Sequence, residues 1–365
     1  MKILLITLLC LNFFVMPCYA DNTVDETAEI LGVDDLYEYL PEDAGEISGK
    51  IEENGKYDVD GALKRLFNSF VERLENEIKA NIESFLSLVV INLICSFCVA
   101  FCPDKKIAEY INIAGICAVA AMFLGNLDGM VNETVEALTQ VSAYSKVAMP
   151  AIFTTAAAGG AVVSASARFA AVSVGLELIM ETARNIIVPL IYSFLALALC
   201  KGLFDESLIK SIQRFVKWLM GISMTVLTIS FSAYISITGA ISASADALAV
   251  KMARTVISNV LPVVGGMISD AASTVLSAAN MIKSSAGAMS LVAVCALCVG
   301  PFAMLSVKML LFKLAAAACD MVPGIRLGGF INDIGTALSF LLGLLGSISI
   351  MLFISIMSVI KAVTG

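Results

Sequence analysis

Histidine is absent from all 365 residues. Its absence removes Ser-His-Asp and Cys-His catalysis, imidazole metal ligation and the usual side-chain switch near neutral pH. The phosphate cradle G-x-x-x-x-G-K-[ST], the dinucleotide turn G-x-G-x-x-G and the nucleophile elbow G-x-S-x-G are also missing. Charge is scarce: 15% of residues are Asp, Glu, Lys or Arg, against about 25% in a soluble domain. With a net charge of -8, the chain offers no basic surface suited to nucleic acid. No nucleophile–base pair, cofactor motif or metal set proposes an enzyme.

Apolar residues are what the chain has instead. They make up 59% of it, and several runs exceed the ~18 residues needed to cross a bilayer. Because lipid leaves backbone groups no partner but each other, the class is an all-α polytopic membrane protein. The charge is unevenly placed. Residues 21–83 hold 18 acids and 6 bases, whereas the chain from residue 85 onward holds 13 acids and 16 bases. An acidic arm therefore precedes a slightly basic membrane body.

In chain order, residues 1–20 have Lys2, an apolar core, Pro17 and a small residue at Ala20. They read as a secretory signal, either cleaved after Ala20 or kept as an anchor, and both place Asp21 outside. Residues 21–61 form an acidic extracytoplasmic tail with at most a short helix near 33–40. In residues 62–84, Leu63, Leu66, Phe67, Phe70, Leu74 and Ile78 recur at helical spacing. This amphipathic helix either lies on lipid headgroups or docks an extracytoplasmic partner. The polytopic domain follows at 85–365.

Six full crossings are expected, at 85–102, 107–127, 186–200, 218–239, 286–307 and 336–360. Lys105 and Lys106, and then Lys201, Lys210, Arg214 and Lys217, mark cytoplasmic loops. That orientation makes the small-residue segments 147–167 and 260–279 re-entrant or interfacial, with eight crossings as the alternative count. Helix breaks and close packing are expected at Pro150, Gly159, Gly160, Pro189, Pro262, Gly265, Gly266 and Pro301. Pro150 and Pro262 share an offset of 112 residues with Pro189 and Pro301. The chain thus holds either two weak internal repeats or merely similar Ala- and Leu-rich composition.

Ser339, Gly343 and Ser347, spaced by four, make a small-residue seam for a neighbouring helix or a second copy of the chain. Glu177, Glu181 and Arg184 share one helical stripe, either lining an interior path or lying in the interface. In the first case Arg184 neutralises Glu181 and leaves Glu177 for an ion or partner. Lys308 and Lys313 close a long apolar run and are expected to snorkel to the inner headgroups. Ten cysteines include Cys95-x-x-Cys98 and Cys295-x-x-Cys298, but both pairs lie in apolar runs and read as small buried side chains.

Taken together, the signal sequence, the acidic tail ending in an amphipathic helix, MPAIFTTAAAGG from Met149 and LLFKLAAAACDMVP from Leu310 resemble one family, stage III sporulation protein AE. The core Lys313, Leu314, Ala315, Ala316 and Ala317 is the most specific part. The resemblance spans nearly the whole chain. It implies a non-enzymatic subunit of the channel complex linking mother cell and forespore, set in the mother-cell membrane without a cofactor. Implied partners are ring-forming subunits, a cytoplasmic ATPase, stage II sporulation protein Q across the gap, and membrane lipid. A separate reading is an independent secondary transporter that uses Glu177, Glu181 and Arg184.

Overall fold

The computed structural model describes residues 40–50, 57–101, 104–158, 162–204, 207–260, 265–320 and 326–361. Side chains are described for these except 124, 126, 155–168, 235–236, 238–284 and 357–361. The signal sequence, the tail to residue 39, Gly159, Gly160 and Pro262 lie outside the described residues, as do the side-chain surroundings of Gly265 and Gly266.

The described chain is helical, with no strand among the described residues. A short helix α1 (Glu42–Ser48) leads to α2 (Val59–Phe101), α3 (Lys105–Ala158) and α4 (Val162–Thr182). One π-helical turn (Ala183–Ile187) joins α4 to α5 (Val188–Phe204). Then come α6 (Ser207–Val260), α7 (Gly265–Asp320) and α8 (Leu327–Lys361). Six segments are long and apolar enough to span a membrane: Val59–Phe101, Lys105–Thr154, Phe169–Phe204, Ser207–Tyr234, Ser285–Asp320 and Leu327–Ile356. Each coincides with one expected crossing.

Helices α3, α6 and α7 run for 54, 54 and 56 residues. At 1.5 Å per residue each is about 80 Å long, more than twice the hydrocarbon thickness of about 30 Å. The segments expected to be re-entrant are helical wherever they are described. Residues 147–158 finish α3, 162–167 open α4, and from Gly265 the second segment opens α7. Pro150 and Pro301 do not end their helices, since both sit inside continuous ones. A proline removes one ladder bond, and neighbouring helices can support the turns on either side of it. At Pro189 the backbone does change. Its ring would strike the carbonyl of Asn185, and the turn holding Asn185 widens to π geometry.

Helix α7 is the enclosed member. Of its most apolar window 72% is buried, against 17% for α2 and α6. It packs most extensively on α8 and also against α2, α3 and α1, while α4 rests on α6. Around α1 the acidic tail is folded, not loose. Ala44 and Ile47 are buried, and the carbonyls at the end of α1 find side-chain donors in Tyr57 and Arg65. Tyr57 Oη donates to the Ser48 carbonyl at 2.5 Å, and Arg65 Nε donates to that of Ile47 at 3.2 Å. Arg73 Nη2 holds Asp43 at 2.9 Å. The amphipathic segment runs into the first crossing as one helix, α2.

Candidate functional site at the basic end of the bundle

Three helices converge where the basic segment meets the C-terminal crossing. Lys201 lies in the last turn of α5, where a cation complements the carbonyl end of the helix. On α6, Lys210, Gln213, Arg214 and Lys217 recur at i, i+3, i+4 and i+7, one face of the helix. Opposite them, α8 supplies Asp333. With Phe194 these residues line a cavity of about 310 Å³.

Asp333 organises the cavity. Its carboxylate accepts from Lys201 and, at 3.0 Å, from Gln213 Nε2. Asp333 and Gln213 are both buried. The one carboxylate in the lining is therefore already engaged, while four cationic side chains share the wall. Beside the cavity, Lys313 donates to the Asn332 carbonyl at 3.1 Å, to Asn332 Oδ1 at 2.8 Å and to Thr336 Oγ1 at 2.7 Å. Lys217 is close enough to Lys313 for the two charges to repel. Gly335 lets the Lys313 stem cross α8, for a Cβ there would lie 3.2 Å from its carbons. Such a site can hold an anion. It has no nucleophile paired with a base, and among the described residues no His, Cys, Asp or Glu group could hold a metal ion.

The sequence marks the four cations only as a topological signal and passes over Gln213 and Asp333. A signal was present, since Asp333 is the sole ionisable residue between 327 and 356. An acid in so apolar a helix asks for a partner.

The other expected sites fall elsewhere. Glu177, Glu181 and Arg184 are exposed on the outer surface of the bundle. Arg184 does not neutralise Glu181; it donates to Thr139 Oγ1 at 2.5 Å. Glu177 is not left over either, since Lys146 Nζ lies 3.2 Å from its carboxylate. Arg184 stands in the π-helical turn, and its partner Thr139 belongs to α3. Lys313 is held by three acceptors of α8. Lys308 lies within electrostatic reach of Glu133 of α3.

Within the motif from Lys313, Ala315 and Ala316 are buried while Leu314 and Ala317 face outward. Small residues there let α7 approach Gly328 of α8 closely. In the Ser339–Gly343–Ser347 seam, both hydroxyls bond back into α8, at Gly335 and Gly343. Gly343 faces Met224 at ordinary contact distance, 3.8 Å from a would-be Cβ. Cys95 is buried and Cys98 exposed, while Cys298 Sγ sits 3.3 Å from Ser349 Oγ.

On α2, Leu66 packs on the core, and Leu63, Phe70 and Leu74 are half-buried. Phe67 and Ile78 point away, 62% and 45% exposed. They begin an outward apolar stripe that continues through Ile82, Leu86, Val90, Leu93, Phe97 and Phe101.

The family described as Stage III sporulation protein AE matches residues 46–363. Among curated proteins, the stage III sporulation protein AE of Bacillus subtilis (strain 168) is 22% identical over 363 residues, covering 94% of this chain and 89% of that protein. No solved structure matches the chain. A match across all six apolar segments shows that the chain belongs to the stage III sporulation protein AE family.

Proposed function

We propose that this protein is a non-enzymatic membrane subunit of the channel complex joining mother cell and forespore, and that it works by holding other subunits on both faces of the mother-cell membrane. The observation that carries this reading is the length of the outward stripe on α2. From Phe67 to Phe101 it covers 34 residue steps, about 51 Å, whereas the hydrocarbon core is about 30 Å thick. Lipid covers the uncharged stretch 85–101. The remaining stretch, with Phe67, Val71, Ile78 and Ile82 exposed, runs among Lys64, Arg65, Glu72, Glu75, Lys79 and Glu83 and belongs in water. An apolar face on a charged, water-borne helix calls for a protein cover.

In this reading the acidic tail lies in the intermembrane space. There α2 meets ring-forming subunits, with stage II sporulation protein Q across the gap, and the basic end faces the cytoplasm and the ATPase subunit. The test is co-purification of the complex from sporulating cells carrying Phe67→Glu and Ile78→Glu. Loss of the ring-forming subunit, with membrane insertion kept, is the expected result. Unchanged recovery of that subunit overturns the reading.

A further inference from the structure

We propose that the cavity between α5, α6 and α8 is a phosphate-binding site that takes the headgroup of an anionic phospholipid. The inference does not depend on which complex the subunit serves. Lys201, Lys210, Arg214 and Lys217 share the wall with a single carboxylate, which Lys201 and Gln213 already engage. Arg214 supplies a planar fork matched to phosphate oxygens, and Lys217 supplies a point charge beside it. A volume of about 310 Å³ falls at the small end of ligand cavities, enough for a headgroup and too little for a whole lipid.

The surroundings point to a lipid source. On the side away from Lys210 and Lys217, α6 presents Leu208, Ile212, Phe215, Trp218 and Ile222 outward, between 40% and 66% exposed. Phe215 and Trp218 stack with their centroids 5.8 Å apart. Exposed Trp is enriched where hydrocarbon meets headgroups, and basic cavities between membrane helices suit anionic headgroups. One helix therefore offers an acyl-chain surface on its outward side and a basic pocket on the other, with Trp218 one turn from Arg214 where the two sides meet. Asp333 keeps the pocket from being purely cationic and fixes Lys201 and Gln213 in place.

Trp218 is the only tryptophan in the chain, so its emission reports this place alone. The purified full chain in neutral detergent is titrated with phosphatidylglycerol and with phosphatidylcholine, each brominated on its acyl chains. A separate arm uses inorganic phosphate, scored by thermal stability. At least threefold stronger quenching by phosphatidylglycerol supports the proposal with lipid as the source. Stabilisation by inorganic phosphate, with no lipid preference, supports the phosphate site with free phosphate as the source. Arg214→Gln with Lys217→Gln should bring the lipid ratio to about one, while Lys105→Gln with Lys106→Gln, which removes the same charge, should leave it intact. If the double variant does not fold, Lys217→Gln alone carries the test with a smaller drop. Equal quenching by both lipids together with no response to phosphate overturns the proposal. So does binding of a polyglutamate peptide without response to either phosphate source, which would assign the cavity to an acidic protein segment.

Discussion

Lys201 on α5 and Asp333 on α8 form an ion pair between residues 132 apart in the chain, with side chains only 22% and 13% exposed. It ties the third crossing to the sixth and sets one wall of the basic cavity.

Removing one partner of this pair leaves the other charge enclosed. Asp333→Leu or Lys201→Met should each cost about 3 kcal/mol, read as a lower Tm in detergent. The double variant should recover much of that loss, because the penalty lies in the orphaned charge and not in the absence of the pair. Additive losses would show that the two residues do not act on each other.

Gly175 of α4 lies against the ring of Phe231 on α6, where a Cβ would come within 2.5 Å of the aromatic carbons. A flat ring cannot bend away as a lysine stem can. Gly175→Ala should destabilise by about 1–3 kcal/mol. Combining it with Phe231→Leu should relieve part of the strain, measured by thermal unfolding.

Asn92 is buried in α2 with its side-chain oxygen unpartnered in the described structure. An unmet polar atom in an enclosed site costs about 1–3 kcal/mol. Asn92→Leu, similar in volume, should raise stability by about 1 kcal/mol, seen as a higher Tm. A fall in Tm would mean that the amide has a partner in the assembled complex or the membrane.

Burial pushes the Tyr57 phenol from its ordinary 10 up to about 12. The folded form therefore holds the proton more tightly than the unfolded one. Its contribution is complete below pH 10 and is lost as pH rises toward 12. Protease protection of α1 should fall across that window in the parent. Tyr57→Phe, which cannot ionise, should show no such fall.

The sequence alone determined the class and marked six segments apolar and long enough to cross. Apolar runs of sufficient length must enter lipid, and in lipid only helix satisfies the backbone, so 85–102, 107–127, 186–200, 218–239, 286–307 and 336–360 were legible as helices. It also located the cationic segment from Lys201 to Lys217. Tertiary structure decided what those helices do to one another. Whether Pro150 breaks α3, where Arg184 points and what Lys313 holds all depend on neighbours far away in sequence. Periodicity within one helix does not carry that information. The clearest case is Asp333. Alone in its apolar helix, it could be flagged as needing a partner, but that Lys201 and Gln213 would meet it was decided only when α5, α6 and α8 came together.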